Sequence, residues 1–118
     1  MEPMEVPKVA IDLGITQKYV LLTLHRASHV DEVFLRGLGS AEFHINILEA
    51  NQPSLLALGG EGSTLSCPGG GRITFIPPNT YRIHGYSVGF GRADHATSAK
   101  LLKAALLQAT VTHDDEGY

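Results

Sequence analysis

Six histidines, a single cysteine and two glycine-rich runs are the parts of this 118-residue chain with the means to do chemistry. The cysteine lies in SCPGGGRI, residues 66–73. A cysteine, glycines and an arginine in that order suggest a phosphate cradle, with backbone N–H groups wrapping an anion above a thiolate. Cysteine-dependent phosphate loops hold five residues between the two, whereas Cys67 and Arg72 are separated by four. The run also continues into the strand-like RITFI instead of opening a helix whose N-terminus would stabilise a thiolate. These residues read better as a glycine bend or bulge within a strand, beside a buried cysteine.

The second glycine run, HGYSVGFGRADH at 84–95, follows a predicted strand and precedes a predicted helix. That is the setting of an anion-binding nest, although neither the nucleotide P-loop nor the dinucleotide fingerprint is present. Among the histidines, His25 and His29 with Asp31 have H-x3-H-x-D spacing in a loop. With no helix to hold them they read as surface residues, not metal ligands. His44 differs, because it falls in the first turn of a predicted helix. The positive end of a helix disfavours protonation and keeps an imidazole neutral, as a general base or nucleophile must be.

Short strands are expected at 9–13, 18–24 and 33–36, the last stopped by Gly37. Ser40 is placed as the N-cap of a helix that starts in AEFHINILEA, with Phe43, Ile47 and Ala50 on one face. Pro53 would end or kink that helix, and the following SLLALGGEG carries it to a glycine stop. Strands at 64–76, broken by the glycines, and at 81–87 are joined by a PPN turn. A helix over 94–107 has Ala99, Leu102, Ala105 and Leu106 inward and Lys100 and Lys103 outward. A last strand covers 109–113. The expected architecture is a single α+β domain over 1–118, with a mixed sheet of about six strands, two helices packed on it and a loose tail at 1–7.

Composition fits that picture. The chain is 43% hydrophobic and 18% charged, as ordinary globular domains are, and its net charge of −3 gives no electrostatic footprint for nucleic acid. No apolar stretch has the length of a membrane span or a signal-peptide core. A lone cysteine suits a reducing compartment. A cytoplasmic monomer without cofactor or metal, and without nucleic-acid or membrane partners, is expected.

The motifs in order carry a resemblance. KYVLL at 18–22, RG at 36–37, AEFH at 41–44, CPGGGRI at 67–73, HGYSVGFGRADH at 84–95 and DDEGY at 114–118 together resemble the 14 kDa phosphohistidine phosphatase (Janus/Ocnus) family. The resemblance covers nearly the whole chain. It implies a metal-free hydrolase that removes phosphate from phosphohistidine in proteins, with His44 as general base or nucleophile. It implies phosphate contacts from Lys18, Arg36, Tyr86, Ser87, Val88, Gly89 and His95. The GGGR run is a family landmark but not its nucleophile loop. Val88 and Gly89 stand where relatives often carry Met and Ala, Arg92 where proline is expected, and none of these departures removes a group the chemistry needs. A phosphopeptide-binding module using the same nest without turnover is the alternative, but such a module has no use for a neutral histidine at position 44.

Overall fold

The computed structural model describes residues 6–116. Eight elements follow in order: β1 (Val9–Ala10), β2 (Gln17–His25), β3 (Glu32–Leu38), α1 (His44–Gly59), β4 (Thr64–Ile76), β5 (Thr80–His84), α2 (His95–Ala105) and β6 (Thr110–His113). The six strands form one mixed sheet in the order β1-β3-β2-β4-β5-β6, parallel at its two edges and antiparallel within. The expected α+β fold of six strands and two helices is therefore present.

Strand periodicity sorts the core into two layers. Val20, Leu22 and Leu24 of β2 and Phe34 of β3 point one way, against Ile47 and Leu55 of α1. Tyr19 and Leu21 point the other way, joining Leu35, Ile73, Ile83 and Leu102 of α2. Fully burying side chains of this size stabilises the fold by about 1.5–3 kcal/mol each, so the two helices clamp the central strands from opposite sides.

Several boundaries differ from expectation, each for a local reason. The cap of α1 is Phe43, not Ser40, because the Asn46 side chain turns back to accept the Phe43 N–H at 2.9 Å. His44 is thus the first residue of the helix. The buried stripe is His44, Ile47 and Leu55, while Phe43 and Ala50 are exposed. Pro53 does not end α1, which runs on to Gly59. β3 continues through Gly37, and β5 ends at His84 because Gly85 turns the chain with φ +77°. α2 is capped by Asp94, whose carboxylate accepts the Ala96 and Thr97 N–H groups. Of the expected tail, residues 1–5 lie outside the described residues. Val6 packs on the α1-side core, and the Pro7 carbonyl accepts from Arg36.

β4 is continuous through its glycines. Leu21 pairs with Gly69 but Thr23 with Ser66, so three steps on β4 face two on β2, and Cys67–Pro68 forms the bulge. Pro68, which has no N–H, sits where the ladder is interrupted. The glycines are needed for close approach. A Cβ on Gly69 would lie 2.6 Å from the Ala93 nitrogen, and one on Gly71 2.5 Å from the His84 oxygen. Gly69→Ala should therefore lower stability by about 1–3 kcal/mol through overpacking. Gly89→Ala, which would meet nothing within 4 Å, should stay within about 0.5 kcal/mol of the parent. Urea unfolding midpoints of the two variants test this contrast.

Candidate active site

His44 is placed by three features of the chain. It opens α1, so its backbone is fixed by the helix. Gly70 of β4 has no Cβ, which would otherwise lie 2.9 Å from His44 Cδ2. The Gly71 carbonyl lies 2.9 Å from His44 Nε2. A carbonyl only accepts, so Nε2 carries the proton and donates it. In the neutral ring the lone pair is then on Nδ1, for which no described residue supplies a partner. His44 is only 7% exposed, and that exposure is to a pocket.

The pocket has a volume of about 600 Å³ and is lined by Lys18, Phe43, His44, Ile45, Ser87, Val88, Gly89 and Phe90. Lys18 comes from the start of β2 and pairs across the sheet with Arg72, on the helix α1 side. Among the described residues no carboxylate lines this space. The 87–90 wall is a tight turn. Ser87 N–H donates to Gly91 O at 3.0 Å, and Gly91 N–H returns to Ser87 O at 2.8 Å. The turn is riveted to β4 by Gly70 N–H to Gly91 O and Ala93 N–H to Gly70 O, both 3.0 Å. Ser87 Oγ accepts the Phe90 N–H at 3.1 Å, which leaves the hydroxyl proton for another acceptor. Ser87 N–H is therefore spent within the loop. Val88 and Gly89 N–H groups remain without acceptors among the described residues.

The structure thus brings Lys18, His44, Ser87, Val88 and Gly89 around one pocket. Arg36, Tyr86 and His95 do not line it. The Arg36 guanidinium is buried elsewhere, donating to the carbonyls of Pro7 at 2.8 Å, Leu35 at 3.0 Å and Lys8 at 3.3 Å. It holds the N-terminal segment to β3. Tyr86 precedes Ser87 and is half exposed, outside the pocket. His95 lies on the α2 side of the sheet. Its Nε2–H donates to Gly85 O at 2.7 Å, and its Nδ1 pairs with the Tyr19 hydroxyl at 2.6 Å. Ser98 Oγ completes this buried group, 2.8 Å from Tyr19 Oη. Burial there pushes the Tyr19 phenol well above its ordinary range. His95 thus anchors Gly85, the glycine at which the chain turns from β5 towards the pocket loop.

Arg72 was not among the expected site residues. It acts on His44 electrostatically and stands beside Lys18. Its signal was present in the sequence as the arginine ending the glycine run, but that run reads as a candidate cysteine loop and the arginine is set aside with it. Cys67 itself is half-buried, packs under α1 and points its Sγ to Gly69 O at 3.5 Å. Burial pushes its thiol up to about 11, so it is protonated at neutral pH and is a poor nucleophile. Among the described residues no group of three or more His, Cys, Asp or Glu side chains could hold a metal ion. His25 instead bonds Ser66 and Asp31, and His29 bonds the Ala27 carbonyl.

Burial holds the His44 imidazole below its ordinary value of 6.5, and Lys18 and Arg72 push it the same way against the opposing Gly71 bond. The positive end of α1 acts in the same direction. The ring is therefore neutral from neutral pH to below 6.5. A histidine with a depressed folded value supports stability fully above pH 6.5, and this support is lost as the pH falls towards the folded value. In an NMR titration the His44 ring should change charge below pH 6.5. Lys18→Met should move that midpoint upward, and an unchanged midpoint would remove Lys18 from the electrostatics of the ring.

Comparison with known proteins places the chain in a family. Residues 4–110 match the model of the Janus/Ocnus family (Ocnus). The sex-regulated protein janus-A of Drosophila melanogaster is 34% identical over 114 residues, covering 96% of this chain and 82% of that protein. The 14 kDa phosphohistidine phosphatase of Sus scrofa is 32% identical over 121 residues, covering 97% of this chain and 94% of that protein. Both relatives span the β2 strand, the His44 helix and the glycine strand, and the chain belongs to the Janus/Ocnus family.

Proposed function

We propose that this protein is a metal-independent protein phosphohistidine phosphatase with His44 at the centre of its chemistry. One observation carries the reading. His44 has its Nε2–H fixed on Gly71 O and its Nδ1 left to a pocket that also holds Lys18 and, among the described residues, no carboxylate. A neutral imidazole with one committed nitrogen and one available lone pair is what a general base or nucleophile requires. The match to a relative named as a phosphohistidine phosphatase supports the same chemistry.

Phosphoryl transfer asks the protein mainly for positioning and charge stabilisation. Lys18 and Arg72 supply positive charge, and the Val88 and Gly89 N–H groups with the Ser87 hydroxyl supply donors for phosphoryl oxygens. In the water route, Nδ1 takes a proton as the water oxygen forms the new P–O bond. The P–N bond breaks, its electron pair goes to the leaving imidazole nitrogen, and solvent protonates that nitrogen. In the direct route, Nδ1 itself attacks phosphorus as the substrate P–N bond breaks. The electron pair goes to the leaving imidazole nitrogen, which solvent protonates, and water then cleaves the N–P bond on His44 to release phosphate and restore the ring. The two routes differ in whether His44 becomes transiently phosphorylated. The substrates are histidine-phosphorylated proteins, and the working form is a cytoplasmic monomer.

Phosphate release from a histidine-phosphorylated protein, measured with chelator present, tests the proposal. His44→Ala should lose at least about 100-fold, the lower range for a positioned acid–base group, while Cys67→Ser should stay near the parent. Retained binding of the phosphoprotein without turnover by the parent would instead identify a phosphopeptide-binding module. The pH profile is a second check. After subtraction of uncatalysed hydrolysis, the rate should fall on an acid limb lying below pH 6.5, since the His44 value is lowered. A catalysed rate rising steadily to pH 5 would exclude neutral His44 as the working group.

A further inference from the structure

The pocket is larger and more apolar than the proposed chemistry needs. Pockets of roughly 300–1,000 Å³ enclose drug-sized ligands, so about 600 Å³ leaves room beyond one phosphorylated imidazole. Its polar groups, Lys18, His44 and Ser87, share the space with Phe43, Ile45, Val88 and Phe90. Three of these apolar side chains are open to solvent, Phe43 at 59%, Ile45 at 43% and Val88 at 81%. Single exposed apolar residues are ordinary, but several around one pocket mark a recognition surface.

Phe43 gives the strongest indication. It occupies the N-cap of α1, where Ser, Thr, Asp or Asn would accept a helix N–H and stabilise the helix by about 1 kcal/mol. Its ring makes no cap bond and stands exposed at the pocket. Helix stability therefore gives no reason for a phenylalanine here, whereas contact with a ligand does. The occupant follows from continuity with the catalytic groups. With the phosphoryl charge held by Lys18 and the loop amides, the group that reaches the mouth is whatever is bonded to the leaving imidazole. That is the peptide carrying the phosphohistidine. Among the described residues no charged side chain other than Lys18 lines the pocket to pair with a charged flank.

We infer that Phe43 and Ile45 form a specificity surface for an apolar side chain next to the phosphohistidine, so that apolar-flanked sites are the preferred substrates. This rests on the phosphatase reading and narrows its substrate class. Burial of one such side chain, at about 25 cal/mol per Å², is enough for a tenfold preference, which corresponds to about 1.4 kcal/mol.

The test uses the full chain and two phosphohistidine peptides that differ only in the flanking residues, leucine or serine. The parent should show at least a tenfold higher kcat/KM for the leucine peptide. In the double variant Phe43→Asn/Ile45→Gln the ratio should fall to within twofold. Asn at position 43 is a better cap than Phe, so loss of the helix does not explain that result. Equal kcat/KM for the two peptides in the parent, or a preference that survives in the double variant, would overturn the inference. Phosphoimidazole, which has no flank, separates this failure from failure of the phosphatase reading, because a phosphatase hydrolyses it whatever its flank preference. If the parent hydrolyses none of these, peptides bearing a non-hydrolysable phosphoryltriazolylalanine give the same ratio as Kd. A retained leucine preference there supports the surface while ending the phosphatase reading, and equal Kd values end the surface as well.

Discussion

The bond from His44 Nε2–H to the Gly71 carbonyl is the constraint on which the site depends. It fixes the ring, assigns the proton and leaves Nδ1 to the pocket in one contact. It is possible only because the strand beneath has no side chains there. A Cβ on Gly70 would lie 2.7 Å from the Tyr19 oxygen and 2.9 Å from the His44 ring. The three glycines therefore serve as a thin place in the sheet, across which a helix, a loop and a strand come within bonding distance. None of them is needed for a left-handed backbone, whereas Gly85 and Gly91, at φ +77° and +85°, are.

The electrostatics follow from the same packing. Sinking His44 between α1 and β4 removes water from the ring, which disfavours its charged form. Two cations nearby add to this, and the first position of a helix contributes a partial positive charge. Ordinarily such crowding of positive charge costs stability. Under the proposed function, a bound phosphoryl group would offset part of that cost.

The fold could be read from the sequence because its periodic signals agreed with each other. The β-rich run KYVLLTL and the strand-like RITFI marked the central strands, and an apolar stripe beginning near Asp94 marked α2. The failures came where a tertiary contact replaced a local rule. Ser40 looked like the cap, yet Asn46 reaches back to Phe43 and begins the helix three residues later. The glycines looked like a break, yet they hold the middle of a 13-residue strand. Within the site, His44, Lys18 and the 87–89 loop came from motif order, whereas burial decided Arg36 and His95. Which end of a long polar side chain faces the pocket is a property of packing that one sequence does not print. Arg36 spends its donors on the carbonyls of Pro7, Lys8 and Leu35, and His95 lies behind the sheet.

His95 nevertheless belongs to the same machine. A Cβ on Gly71 would lie 2.7 Å from its Cε1, so the strand that carries the His44 bond on one face rests on His95 on the other. His95 also holds Gly85, the hinge of the loop, and is itself held by Tyr19 and Ser98. The His44 ring and the 87–90 turn are thus referred to one another through the sheet, by buried bonds of 2.6–2.9 Å. The pocket mouth is not. Val88 and Gly89 project from the turn with nothing packed on them, and Phe43 stands free at the helix start. Buried polar networks resist substitution because an unpaired member is costly, while exposed side chains can change at little expense to stability. The geometry around His44 is therefore built into the sheet, whereas the pocket mouth is formed by side chains that the fold leaves free to vary.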